Sequence, residues 1–495
     1  MTESLTPPLP RDLFTAEQVR AMDRYAIAEL GTPGIELMEN AGAAAFSALR
    51  RRWPEARFLS VVCGGGNNGG DGYVIARLAL AEGLDVRVYA VTPPAHLKGD
   101  ALRAFLAYRE AGGEWLDYIP AQLEAAEVVV DALFGTGLDR DVSGHHAAII
   151  KAINESQAGV LAVDIPSGLN ADTGAVMGCA VHADSTVTFI GLKRGLFTGA
   201  GLAYSGEIVF DDLGTPPVVR RCVAPSAQLV QYGDYPLPLR PRDAHKGHFG
   251  HVLVIGGDLG YSGAARLAAE AAARAGAGLV TVATRPEHAV FLNLTRPELM
   301  CRGVATAAEL EPLLHRASVV AIGPGLGQAE WGQGMLSAAL SCELPMIVDA
   351  DAVNLLAQQP ARRDDWILTP HPGEAARLLQ TSTANINRDR FAAAARLQER
   401  YGGVVVLKGS GSLVLGSDAL PCVSTTGNPG MATGGMGDVL TGVIAGLVAQ
   451  GLAPLTAAVA GVQLHGAAGD LAATTGERGL LAGDLMEHVR ALVNQ

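Results

Sequence analysis

Short runs of β-branched and other apolar residues recur along the chain, each followed by a stretch rich in Ala and Leu. The first series is FLSVVC (58–63), VRVYAV (86–91), EVVVDAL (127–133) and GVLAVDI (159–165). Strands that are apolar at nearly every position are buried on both faces, and alternation with helical stretches predicts a parallel sheet with crossover helices. The rhythm fails between about 212 and 244, where Pro216, Pro217, Pro225, Pro236, Pro238 and Pro241 crowd a segment with little helical period. A second series then runs through HVLVIGG (251–257), GLVTVAT (278–284), SVVAIGPG (318–325), PMIVDAD (345–351), DWILTPH (365–371) and GVVVLKG (403–409). Two α/β domains in tandem are expected, at 1–214 and 241–495, with a Pro-rich junction at 215–240. The halves differ in loop spacing and motifs, so they do not read as an internal repeat.

A chain of 495 residues exceeds the usual size of one hydrophobic core. With 49% hydrophobic and 18% charged residues it has enough apolar surface for two cores and too few charges for a disordered polymer. The formal charge of −13 argues against nucleic acid or an anionic membrane as partner, since either needs clustered Lys and Arg. Backbone amides can still bind a local anion. The six cysteines, Cys63, Cys179, Cys222, Cys301, Cys342 and Cys422, form no CxxC pair, which suggests a reducing compartment. The start, MTESLTPPLPRDLF, lacks the charge and apolar run of a signal peptide, and no apolar stretch approaches the roughly 20 residues that span a bilayer. A cytoplasmic location is expected.

Chemistry concentrates at strand ends. SVVCGGGNNGGDGYVIARLALAEG reads strand, glycine turn, helix, and places Asn67, Asn68, Gly69, Gly70 and Asp71 at the carboxyl edge of a parallel sheet. Glycines let backbone approach a phosphate, and a helix start offers free N–H groups; the alternative is a tight turn needing glycine only for positive φ. Two further strand ends carry Asp131 and Arg140, and Asp164, Ser167 and Asn170. Each Asp alone reads equally as a turn cap. Together, oxygens of Asn68, Asp131 and Ser167 could surround a hard monovalent or divalent cation, leaving Asp164 free as a general base.

In the second half, GYSGAARLAAEAAARAGAGLVTVAT puts a small-residue helix before a strand; close helix–sheet packing explains it, and Ala264 could also lie against a ligand. TTGNPGMATGGMGDVLTGVIAGLVAQG is more telling. Gly434, Gly435, Met436 and Gly437 precede Asp438 and an apolar helix, so several N–H groups point at one spot beside a carboxylate. A plain N-cap does not call for so many glycines. VVVLKGSGSLVLG ends a strand in Lys408 and a Gly/Ser loop suited to phosphate, and TPHPGEAARLL frames His371 between prolines, as a structural residue or one held at a substrate. GPGLG (323–327), DAD (349–351) and Asn354 occupy comparable strand ends.

LMENAG, GGGNNGGDG, VDALFGTGL and DIPSGLNADTG, over about residues 12–212, resemble the NAD(P)HX epimerase domain of the bifunctional NAD(P)H-hydrate repair enzymes. HKGHFGHVLVIGG, GYSGAA, DADAVN, TPHPGE and NPGMATGGMGDVL, over about 240–493, resemble the NAD(P)HX dehydratase domain of the same proteins, whose GxGD turn is shared with ribokinase-like kinases. The resemblance implies an α/β chain: an N-terminal Rossmann-like three-layer sandwich followed by a ribokinase-like α/β domain. It implies that Asn67, Asn68, Gly69, Gly70, Asp71, Gly135, Thr136, Gly137, Leu138, Asp139 and Asp141 line the hydrate, that Asn68, Asp131 and Ser167 hold K+, and that Asp164 and Arg140 act at the nicotinamide. In the second domain it implies hydrate contacts at Ala264, Gly325, His371 and Asp438, with Asp438 the catalytic base. Lys408, Gly409, Ser410, Gly411, Ser412 and Gly437 would hold ADP or ATP, accompanied by Mg2+. Bacterial members use ADP to remove water from the S hydrate, and a homo-oligomer is expected. The competing readings are a ribokinase-type small-molecule kinase with a nonenzymatic N-terminal binding module, and an NAD-dependent oxidoreductase. The second suffers because GGGNNGGDG departs from GxGxxG.

Overall fold

The structure is a computed structural model that describes residues 9–117, 123, 126–231 and 233–494. Residues 1–8, which begin the stretch read above for a signal peptide, lie outside the described residues. Internal contacts divide the chain into two compact units between Gln228 and Leu229. The Pro-rich segment holds a helix at Pro217–Arg221 and a strand at Ala227–Leu229.

The first unit opens with β1 (Asp12–Phe14), α1 (Ala16–Ala28) and α2 (Gly34–Arg52). Thr15 caps α1 in a reciprocal box with Gln18. The alternating series then follows as β2 (Phe58–Cys63), α3 (Asn67–Ala81), β3 (Asp85–Ala90), α4 (Gly99–Glu110), β4 (Trp115–Leu116), β5 (Val128–Ala132), α5 (Gly144–Glu155) and β6 (Gly159–Val163). β7 (Ser185–Phe189), β8 (Leu192–Lys193) and β9 (Glu207–Asp211) complete it. Seven strands form one sheet in the order β4-β3-β2-β5-β6-β7-β9, parallel throughout. From β2 the chain steps first to one side, to β3, and later to the other, to β5. Loops leaving the carboxyl ends of β2 and β5 therefore diverge and leave a crevice, the place where open parallel sheets bind ligands.

Glycine in the β2–α3 turn serves packing rather than a left-handed backbone. None of Gly64, Gly65, Gly66, Gly69, Gly70 and Gly72 has positive φ. A Cβ on Gly64 would lie 2.0 Å from the carbonyl oxygen of Leu133, and one on Gly69 2.0 Å from that of Gly64. The turn and the first coil of α3 are thus pressed onto the strand ends, and the positive-φ explanation fails. Gly66 alone in this group has open space before it, with nothing within 4 Å of a notional Cβ.

In the second unit, parallel strands run in the order Met300–Gly303, Leu279–Thr284, His251–Ile255, Val319–Ile322, Met346–Val348, Trp366–Leu368 and Val404–Leu407. Two antiparallel strands, Ser412–Leu415 and Cys422–Ser424, extend the Val404 edge. The Ala-rich helix Ser262–Arg274 packs on the helix Met436–Ala449 so closely that a Cβ on Gly442 would meet the carbonyl oxygen of Ala268 at 2.0 Å. Small residues in both helices are explained by this contact.

Candidate functional site

A cavity of about 760 Å³ opens at the β2/β5 crevice of the first unit. Asn67, Asn68 and Asp71 from the start of α3 line it, as do Gly135, Thr136, Gly137, Leu138, Asp139, Arg140 and Asp141 from the loop after β5, and Asp164 after β6. Gly69 and Gly70 face inward to the packing instead, and Asp131 and Ser167 lie behind the wall, both fully buried. Arg140 is exposed and lines the same cavity.

Asp131 closes β5 as a hydrogen-bonding hub. Its carboxylate accepts from the Ser167 backbone N–H at 2.8 Å, the Ser167 hydroxyl at 2.6 Å and the Leu133 N–H at 3.3 Å, and Ser167 Oγ accepts from the Phe134 N–H at 2.8 Å. Burial pushes the Asp131 carboxyl up to about 6, against the opposing pull of these donors. Asn68, packed against Gly135 of the same loop, is buried, and neither its Oδ1 nor its Nδ2 has a hydrogen-bond partner. A buried amide with nothing to satisfy it costs free energy, on the order of 1–3 kcal/mol, unless a ligand completes it. An unsatisfied carbonyl oxygen, a carboxylate and a hydroxyl are the hard oxygen donors that suit an alkali or alkaline-earth cation.

Asp164 is not the free carboxylate expected from sequence. Its backbone is left-handed, with φ of 68°, held by a 2.7 Å bond from its N–H to the Val187 carbonyl. Its side chain is ion-paired with Lys193, which is 1% exposed and also donates to Thr188 Oγ1 and the Phe189 carbonyl, both at 3.0 Å. Lys193 and Asp23 both line the cavity and both escaped sequence reasoning. Lys193 had one visible signal: a cation closing the apolar run STVTFIGLK. Asp23 sits in an amphipathic helix and had none.

The second unit gathers a charged cluster at the start of the helix Met436–Ala449. Gly435 before it is left-handed, φ 91°, which turns the chain so that Gly437 faces Lys408. Lys408 Nζ donates to Asp349 Oδ1 at 2.6 Å and lies 3.9 Å from Glu374, and Thr441 Oγ1 donates to Asp349 Oδ2 at 2.8 Å. Burial works against the Lys408 charge, but Asp349 and Glu374 more than offset it and raise its pKa. Asp438, in the first turn, is pushed up to about 7 by burial and by Asp349, with Lys408 opposing. Such a carboxyl is a competent proton acceptor near neutrality.

His371 caps the helix Pro372–Leu378. Its Nδ1 accepts from the Gly373 and Glu374 N–H groups at 2.9 and 3.4 Å, while Glu374 accepts from the His371 N–H at 2.8 Å. The sequence left its role open between structure and substrate; the ring does structural work at Nδ1, and its Nε2 lies 3.4 Å from Glu374 Oε1. The loop at Lys408, Gly409, Ser410, Gly411 and Ser412 is braced from below by buried Arg390, which donates to the carbonyls of Leu407, Lys408 and Gly411 at 3.1–3.4 Å. Ala264 and Gly325 adjoin each other, a Cβ on Gly325 falling 3.2 Å from that of Ala264. Asp351 accepts from the Gly327 N–H at 2.9 Å, and Asn354 from Arg377 at 2.7 Å, so these two strand-end residues brace loops.

Residues 34–195 match the family described as YjeF-related protein N-terminus, and residues 252–490 the family described as NAD(P)H-hydrate dehydratase. The chain is 53% identical over 485 residues to the bifunctional NAD(P)H-hydrate repair enzyme Nnr of Coxiella burnetii, covering 97% of this chain and 99% of that protein. It is 46% identical to the protein of the same name from Escherichia coli, over 98% and 95% of the two chains. Among solved structures, an ADP/ATP-dependent NAD(P)H-hydrate dehydratase from Bacillus subtilis, co-crystallised with ATP and Mg2+, is similar at 30% identity and a TM-score of 0.47, covering 52% of this chain and 93% of that one.

Proposed function

The chain belongs to the bifunctional NAD(P)H-hydrate repair enzymes, and from that membership we propose how its two sites divide the work. It is an isomerase and a lyase: the first unit epimerises the R and S forms of hydrated NADH and NADPH, and the second dehydrates the S form. The observation that carries the residue-level reading is the Asp438 carboxyl, set among helix-start N–H groups beside the Lys408–Asp349 pair.

Hydroxide is a poor leaving group near neutrality. Transfer of the terminal phosphoryl group from ADP to the C6 hydroxyl, with AMP as the leaving group, makes a phosphate ester; phosphate then departs with its bonding pair while the C5 proton passes to water, restoring the ring double bond. Asp438 takes the hydroxyl proton during transfer, and the N–H groups around Gly434, Gly435, Met436 and Gly437 stabilise the moving phosphoryl charge. Lys408, with the loop Gly409, Ser410, Gly411 and Ser412, holds the nucleotide, and Mg2+ bound with it supplies charge neutralisation. Ala264, Gly325 and His371 contact the hydrate.

In the first cavity, Asn67, Asn68, Asp71 and the 135–141 loop line the hydrate, with Asp164 and Arg140 at the nicotinamide. Asn68, Asp131 and Ser167 hold K+, which supplies fixed positive charge beside the bound ligand; the orphan Asn68 carbonyl supports this. Domain limits of 1–214 and 241–495 about a 215–240 junction fit this division. The chain works as a homo-oligomer, supported by exposed Val290, Phe291 and Leu294 within five residues of sequence, and in the cytoplasm, supported by six free cysteines. Among the described residues no helix is long and apolar enough to cross a membrane.

The test mixes purified protein with a racemic hydrate and ADP or ATP and follows absorbance of the reduced nicotinamide. Full recovery with ADP is expected. A stable phosphorylated product without recovered absorbance would indicate a small-molecule kinase instead.

A further inference from the structure

We propose that Asp23, on α1, is the second proton-transfer residue of the first cavity, working as a pair with Asp164 on the C6 hydroxyl of the hydrated ring. The proposal rests on the reading of that cavity as the epimerase site.

α1 turns one face to the cavity: Val19, Arg20, Asp23 and Ile27 recur at helical spacing and all line it. Asp23 is half-buried on that face, and no hydrogen bond or ion pair is formed by its carboxyl among the described residues. The cations around it are already engaged. Arg20 and Arg24, on its own helix, both pair with Glu17, and Lys193 is committed to Asp164, Thr188 and Phe189. The remaining charges facing it are carboxylates, Asp164 after β6 and Asp71 at the start of α3. Two acids on separate elements thus enter one cavity in different states: Asp164 charge-paired with a buried lysine, Asp23 with no counterion of its own. Burial, with Lys193 opposing and Asp164 reinforcing, pushes Asp23 up to about 6. Environments that push two titratable groups apart assign acid and base roles within a site.

The reaction needs such a pair. C6 carries both the hydroxyl and the ring nitrogen N1, so the N1 lone pair can expel oxygen from one face and readmit it at the other; opening of the N1–C6 bond, which would keep the oxygen, is the alternative that the label separates. Protonated Asp23 gives its proton to the C6 hydroxyl, and the C6–O bond breaks with its electron pair going to oxygen as water leaves. The N1 lone pair closes a C6=N1 iminium. Water then attacks the opposite face, its oxygen forming the new C6–O bond as the N1 π pair returns to nitrogen, and its proton passes to the Asp164 carboxylate. One proton has moved from Asp23 to Asp164, and the reverse direction moves it back. Asp71 is a poorer partner: it is 8% exposed, and burial, with Asp164 and Asp23 nearby, raises its pKa well above the usual carboxylate range.

The experiment uses the full chain, the pure R hydrate, no nucleotide, and water enriched in oxygen-18, with the uncatalysed rate subtracted. Wild type should produce S hydrate carrying label at C6, with a bell-shaped pH profile because the pair must hold one proton. Asp23→Asn should lose about 100-fold or more of the epimerisation rate, while its dehydration of S hydrate with ADP stays at the wild-type level. Asp23→Glu should recover part of the rate with a displaced limb in the profile. If wild type does not interconvert the epimers, the reading of the cavity fails. If wild type does, the proposal is overturned by any of three results: inversion without label, a folded Asp23→Asn protein keeping more than about a tenth of the rate, or loss on Asp71→Asn but not on Asp23→Asn. Should Asp23→Asn melt the first unit, an Asp23→Glu profile superimposable on wild type overturns it as well.

Discussion

Asp438 shows how one residue's surroundings set its pH behaviour. Its carboxyl is pushed up to about 7, and a base works only when deprotonated, so dehydration should fall as pH drops below about 7 and level off above it. Asp438→Asn keeps the volume and the helix-start amides; it should cut turnover at least about 100-fold with nucleotide affinity little changed, by single-turnover kinetics and calorimetry. The cation site gives a second residue-scale outcome. Rubidium should replace potassium beside Asn68 and give an anomalous peak there, and Asp131→Ala should abolish both the peak and the salt dependence of epimerisation while dehydration continues. A peak elsewhere, or none, would make Asp131 and Ser167 turn caps only. Sequence locates Asn68, Asp131 and Ser167 at strand ends because apolar runs mark where parallel strands stop. It does not disclose that Asp164 has a partner, since Lys193 is 29 residues away and meets it only through the pairing of β6 with β7.

At the scale of elements, the β2–α3 turn separates two uses of glycine that a string of letters runs together. Gly69→Ala drives a methyl into the Gly64 carbonyl and should destabilise the first unit by roughly 3 kcal/mol. Gly66→Ala meets nothing and has ordinary φ, −101°, so its cost should stay within about 1 kcal/mol as an N-cap change. Because Gly66 lines the cavity, the same change should weaken hydrate binding. Thermal melts and hydrate titrations on the two variants distinguish the roles; equal stability would refute the packing argument. The alternating strand and helix pattern was readable in both halves because doubly covered strands are nearly all apolar. Short elements were not: the helix Pro217–Arg221 spans five residues, too few for a period, inside a segment whose prolines read as linker.

Across the whole chain, two separate units predict separable lesions. Asparagine tolerates the left-handed backbone at position 164, so Asp164→Asn should remove the carboxylate without refolding its loop. Given racemic hydrate and ADP, this variant should consume the S epimer at the wild-type rate and then stall, with R accumulating except for slow spontaneous inversion. Chiral chromatography reads the remainder, and complete conversion at the wild-type rate would rule out Asp164. The two-unit plan was legible from length and from the break in rhythm. In the second unit Asp438, Lys408 and the 349–351 segment were legible as strand-end chemistry, but Glu374 and the pairing of Lys408 with Asp349 were not, because the four acids and bases lie on segments spread over 90 residues of chain.

Lys193 carries a practical consequence. An amine that is 1% exposed and held by three acceptors is closed to acylating reagents while the first unit stays shut. Its modification then requires an opening event, and the rate reports how often that wall gives way. Mass spectrometry of Lys193 against an exposed lysine such as Lys151 should show labelling slower by orders of magnitude, and slower again with hydrate bound, making one side chain a built-in clock for the breathing of the domain.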